Sequence, residues 1–177
     1  MKKWRNFFLQ RMGENGNGSS YPVCESVQTW GIWCKDIPFK LFDKVKEPAR
    51  RTWNDEHGDD EYIGDDGLYV EAYIMTVEFG CKKMGAAEDS GDVIAAVNDV
   101  RERVGAFLEY LRSSGMMMLY SSHTRIGRQN VRLSSIDDSA TWQTDDNGEF
   151  LLFSVSFKVN DPMTDVVMNN GVLIATV

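Results

Sequence analysis

Between Ser90 and Gly115 the chain carries a single apolar stripe at helical spacing. Val93, Val97, Val100, Val104, Phe107, Leu108 and Leu111 recur at i, i+3/i+4, with Arg101, Glu102, Glu109 and Arg112 off the stripe. Ser90 fits an N-cap, Asp92 suits the positive end of the helix dipole, and Gly115 is a C-terminal stop. The spacing predicts a helix over 91–114. One helix with one apolar face cannot form a bundle, so the rest of the chain must supply the surface it covers. That remainder is patterned as strands. The expected fold is therefore α+β, a mostly antiparallel β-sandwich or rolled sheet flanked by one α-helix.

The strand signals are uneven. Phe150 to Val159 alternates most cleanly, with Leu151, Phe153, Val155, Phe157 and Val159 inward and Ser154, Ser156 and Lys158 outward. Asp145-Asp146-Asn147-Gly148 is a hairpin-type turn before it, and 141–144 is expected to pair across that turn. Residues 68–82 carry apolar groups on both faces, which suggests a strand covered on both sides. Residues 27–42 suggest a strand interrupted at Pro38. Further strands are expected at 116–121, 127–136 and 172–177, the last after a turn at Asn169-Asn170-Gly171.

Two segments stand outside this pattern. Residues 1–12 place Trp4, Phe7, Phe8 and Met12 near helical spacing, and 13–20 (GENGNGSS) has the composition of a flexible linker. The expected organisation is an N-terminal arm and linker over 1–20, then a single β-rich domain over 21–177. Residues 43–66 form a long polar loop with Gly58, Gly64 and an acidic run at 55–61. It also holds Trp53, Tyr62 and Ile63, the residue types an interface buries. We expect the loop to be mobile in a free subunit and ordered against a neighbouring copy.

Composition narrows the function. The 177 residues carry a net charge of −8. Carboxylates do not neutralise phosphates, so a general nucleic-acid binder is disfavoured. Cys24, Cys34 and Cys81 are odd in number and form no CxxC pair, against both a disulfide framework and a zinc site. No apolar run approaches the roughly 20 residues that span a bilayer, and the N-terminal pattern is wrong for a signal peptide. Synthesis in the cytoplasm with reduced thiols is the expectation.

No catalytic, cofactor-binding or metal-ligating set emerges. The acidic run offers oxygens for calcium or magnesium, but its spacing is not that of an EF-hand loop. His57 and His123 are the two histidines, and Ser121-Ser122-His123 is adjacency, not a triad. An enzyme is not expected. A small enzyme with a carboxylate site under a loop lid is the alternative from another class, and a monomeric binding module is a third. The charged segments instead suggest contacts between copies. The candidates are Trp53, Asp55, Glu56, Asp59, Asp60, Glu61 and Tyr62 on the loop, facing Arg125, Arg128 and Arg132 of a neighbour.

Several pieces together resemble proteins of tailed-bacteriophage tails, especially those of Bacteroides-type phages and prophages. They are Arg51-Thr52-Trp53-Asn54-Asp55-Glu56-His57-Gly58-Asp59-Asp60-Glu61-Tyr62, Tyr110-Leu111 followed by Gly115, the stretch 120–132, and Phe157-Lys158-Val159-Asn160-Asp161-Pro162. They cover about a third of the chain, and none is a catalytic signature. The resemblance implies a tail-tube or distal-tail-adaptor type of structural subunit. Its fold would be tail-tube-like, and it would self-assemble into rings, a hexamer being expected, alongside other tail proteins. A tail terminator or head–tail joining subunit is the alternative within the family. No cofactor, sequence-specific nucleic acid or membrane is implied as a partner. The location implied is the virion tail, after synthesis in the host bacterial cytoplasm.

Overall fold

The structure is a computed structural model that describes residues 4–41, 44–84, 92–146 and 148–176, with the backbone alone for Asp92 and Val93. In chain order the elements are β1 (Phe7–Arg11), β2 (Val23–Glu25), α1 (Ser26–Trp30), β3 (Ile32–Cys34), β4 (Ala49–Thr52), β5 (Asp59–Tyr62) and β6 (Tyr73–Lys82). Then follow α2 (Asp92–Ser114), β7 (Met117–Ser121), β8 (Gly127–Ile136), β9 (Thr141–Asp145), β10 (Gly148–Val159), β11 (Asp165–Asn169) and β12 (Val172–Thr176).

The main sheet runs β2-β1-β7-β8-β10-β6-β3, with every neighbouring pair antiparallel. β9 lies beside the first half of β10, and the β11–β12 hairpin joins β8 through Asp165 and Arg128. The sheet curls into a half-barrel. Its last strand reaches back to the segment leading into β1, where Arg5 and Cys34 exchange backbone hydrogen bonds of 2.8 and 2.9 Å. α2 packs on the inner side. Val100, Val104, Phe107 and Leu111 of the expected stripe are buried, joined by Ala96, while Val97 and Leu108 are half-buried. Phe107 is the hub: its ring centroid lies 5.3 Å from both Trp30 and Phe79, 6.0 Å from Phe7 and 6.2 Å from Phe153. The α+β reading with a rolled sheet and one long helix matches this architecture. The expected N-cap Ser90 and the side chain of Val93 lie outside the described residues.

Four expectations are corrected. The N-terminal segment is neither a helix nor an arm, because Phe7–Arg11 is strand β1, hydrogen-bonded between β2 and β7. Phe7 and Leu9 are fully buried toward α2, while Phe8 points outward against Tyr120. Apolar residues wanted on both faces gave a pattern that mimics a helical stripe. The glycine-rich stretch is the hairpin turn between β1 and β2, closed by a Glu14–Ser20 bridge and by the Asn15 side chain. At 26–30 the chain forms α1 before β3, capped by the Glu25 side chain on Gln28 N and ended by Gly31 at φ 65°. Finally, β6 starts at Tyr73 and its first half buries one face alone: Tyr73, Met75, Val77, Phe79 and Cys81 point inward, whereas Ile74 and Thr76 are exposed.

The outer face of the sheet is covered in two places. Trp4 stacks on Phe150 at 5.3 Å and lies over Gly80, where a Cβ would sit 2.8 Å from the indole. That contact buries Phe150 and Leu152 although they point away from α2. The β11–β12 hairpin brings Val166 and Leu173 onto Tyr120, Phe8, Val23 and Met118.

Candidate assembly surface

The long polar segment folds as a projecting antiparallel hairpin, β4–β5. Its base is tied to the segment before β6: Lys46 N donates to Tyr69 O and Glu71 N to Lys44 O, both at 2.7 Å, and Val45 bridges Val70. The expectation of a loop over 43–66 is thus corrected for 49–52 and 59–62, which are strands; Asp43 lies outside the described residues. Every residue of both strands is exposed.

Register gives the hairpin two faces, because cross-strand partners share a side and neighbours along a strand alternate. The pairs are Ala49–Tyr62, Arg50–Glu61, Arg51–Asp60 and Thr52–Asp59. One face carries Arg50, Thr52, Asp59 and Glu61. There Thr52 Oγ1 donates to Asp59 Oδ1 at 2.6 Å, and Arg50 lies 3.6 Å from the same carboxylate. The other carries Ala49, Arg51, Asp60 and Tyr62, and Trp53 joins it with its ring 3.7 Å from the Arg51 guanidinium. The second face is aromatic yet exposed: Tyr62 is 77% accessible and Trp53 39%. Asp55, Glu56 and His57 sit in the turn, which Gly58 closes at φ 90°. The two arginines oppose two of the carboxylates, so the hairpin remains acidic. A groove of about 460 Å³ runs from its base, lined by Lys46, Tyr69, Asn130, Asp161 and Met163 among others. Asp161 is held below the ordinary carboxylate range: burial works against this, but hydrogen bonds from Gln129, Thr164 and Met163 prevail.

The three arginines do not form one patch. Arg128 is buried and ion-paired with Asp165 of its own chain. Arg125, at φ 57°, is exposed in the β7–β8 turn. Arg132 lies further along β8, beside Lys158 of β10. Linear closeness overstated their grouping, and Arg128 is unavailable to a neighbour.

Ser122 Oγ donates to the Asn6 carbonyl at 2.7 Å, and His123 contacts the Arg5 guanidinium, so the serine and histidine serve the β1–β7 junction. Among the described residues, no group of three or more His, Cys, Asp or Glu is placed to hold a metal. Burial, aided by Asp36, pushes the Cys34 thiol up to about 12, and burial pushes Cys81 up to about 11. Both are therefore poor nucleophiles. No helix among the described residues is long and apolar enough to cross a membrane.

No family model matches the chain, and no curated protein matches it. Among solved structures it is similar to the Dit protein of phage SPP1, described as a paradigm of the hub adsorption apparatus in phages infecting Gram-positive hosts. The TM-score is 0.50 at 12% identity. The likeness is one of fold. It covers 92% of this chain and 52% of the Dit chain, so the chain spans about half that protein's length. Sequence reasoning missed the exposed Leu68, Tyr69 and Met163 around the hairpin base. The signal of Leu68 and Tyr69 was present in the apolar content of 68–82, a segment that reads as a strand interior.

Proposed function

We propose that this chain is a structural subunit of a phage tail or tail-like particle, and that it self-assembles into a ring through the β4–β5 hairpin. The observation that carries the reading is the hairpin itself. An isolated two-stranded hairpin is marginal in water, yet this one projects an aromatic face on which Tyr62 is 77% exposed and Trp53, backed by Arg51, is 39% exposed. Aromatic residues with an arginine are the composition of an interface centre. The fold likeness to a phage Dit protein supports a tail role. A hexamer, contacts with other tail proteins and residence in the virion belong to this proposal. Its Bacteroides-type component rests on the sequence segments alone.

The test is solution mass by light scattering on the full chain and on a variant lacking residues 54–62. The parent is expected at several times 20.1 kDa and the deletion at the monomer mass, both with the same circular dichroism per residue outside the excised turn. A parent that remains monomeric at high concentration sinks the proposal. A deletion variant that assembles as well as the parent removes the hairpin from it.

A further inference from the structure

The outer face of β6, β10 and β8 is the one stretch between the two covered regions of the main sheet. Its rows follow from the register. Lys158 stands between Arg132 on one side and Ile74 on the other, and Ser156 stands between Ser135 and Thr76. The hydroxyl row is made of short side chains, with Thr76 Oγ1 and Ser156 Oγ 2.8 Å apart. A second β layer can rest about 10 Å above such a floor. Trp4 bounds the strip at Phe150 and Gly80, and the β11–β12 hairpin bounds it beyond β8.

The adjoining row has an unusual charge arrangement. Like charges directly opposite on neighbouring strands repel. Yet Arg132 and Lys158 face each other in a chain of net charge −8. Among the described residues neither has an ion-pairing carboxylate; Arg132 donates to the Leu133 carbonyl at 2.9 Å. Beside them Ile74 is 57% exposed. Two cations and an apolar side chain on this strip call for a partner that is anionic, apolar and two strands wide.

We propose that this strip is the seat for the β4–β5 hairpin of a second copy, with Arg132 and Lys158 taking its carboxylates and Ile74 meeting Tyr62. The hairpin carries both parts of this chemistry: Asp60 and Tyr62 share its aromatic face with Arg51, and Asp55 and Glu56 add carboxylates at its turn. Its own copy does not fill the seat, since β4 and β5 are exposed along their length. The contact joins two different surfaces, so it propagates from copy to copy and closes into a ring when the rotation permits. This inference rests on the self-assembly reading and adds the acceptor surface to it.

The test is zero-length carbodiimide coupling of the assembled full chain, prepared from equal parts of ¹⁴N and ¹⁵N protein and read by mass spectrometry. We expect Lys158 joined to a carboxylate between 55 and 61 in mixed-isotope peptides. The Arg132→Glu/Lys158→Glu variant, checked for folding by circular dichroism, should need at least tenfold more protein to assemble. Adding an Asp60→Arg/Glu61→Arg hairpin to that variant should recover assembly. Lys158→Gln, a milder change, should shift assembly in the same direction. A monomeric parent sinks self-assembly and the seat together. An assembling parent with no Lys158–hairpin coupling, and with Arg132→Glu/Lys158→Glu assembling normally, overturns the seat alone. So does a result in which that variant loses binding to duplex DNA while assembling like the parent, which would make the strip a phosphate surface.

Discussion

Replacing Phe107 by alanine tests how α2 sits in the curl of the sheet. The ring is fully buried and contacts Phe7 on β1, Trp30 on α1, Phe79 on β6 and Phe153 on β10. Phe→Ala at a closed core site costs about 3–5 kcal/mol, and the lost ring contacts, worth about 0.5–1.5 kcal/mol each but not additive, place it toward the upper end. Against a typical total of about 5–15 kcal/mol this is a large fraction. For a chain of this length it corresponds to a drop of roughly 6–20 °C in Tm. The neighbouring Leu108 is half-buried, so Leu108→Ala should cost about 1–2 kcal/mol by partial burial. Urea titration followed by circular dichroism on both variants measures the contrast. If Leu108→Ala proves the more damaging of the two, the helix presents a different face to the sheet, and the packing described above is wrong.

Other outcomes follow from smaller features. Cys34 and Cys81 have folded pKa values raised above the ordinary thiol value of 9.0, so above about pH 9 their thiols ionise first in the unfolded state, and this favours unfolding. The effect is absent below about 9 and grows as pH rises: the urea midpoint should fall between pH 9 and 11, and less so in Cys34→Ala/Cys81→Ala, while a thiol reagent at pH 8 should label Cys24 first. Asp165→Asn leaves the buried Arg128 without its counter-charge and should cost about 1–3 kcal/mol, read as a lower urea midpoint. Gly80→Ala drives a Cβ into the Trp4 indole and should cost about 1–3 kcal/mol, with a red shift in tryptophan emission that Trp4→Phe abolishes.

The helix was legible because one buried stripe leaves a clean 3.6-residue period, and β10 because one face of it is mostly core. Phe7–Arg11 was not, since burial of Phe7 and Leu9 on one side and Phe8 on the other erases any alternation of apolar and polar. The hairpin was concealed for the opposite reason: Arg50, Arg51, Asp59, Asp60 and Glu61 show no apolar period at all, and their pairing depends on the fold around them. Trp53 and Tyr62 were singled out as interface candidates from type alone, and they share a face of the hairpin. The basic cluster failed because Arg128 finds Asp165, which lies 37 positions further along the chain. Lys158 was visible as an outward residue, but its place beside Arg132 and Ile74 depends on strand order, which one sequence does not display.

The pairing of β1 with β7 sets residue 7 opposite residue 121. During synthesis, at about 5–20 residues per second, the strand Phe-Phe-Leu-Gln-Arg waits roughly 6–23 s before its central neighbour exists. Pairing with β2 supplies one edge in the meantime, and leaves the other edge and both apolar faces bare. The half-barrel therefore cannot close progressively from its first strand. Along the sheet its two parts, β1-β7-β8 and β6-β3, are joined only when β10 arrives between β8 and β6, and a nascent chain is most exposed to mispairing with its neighbours on the same message before then.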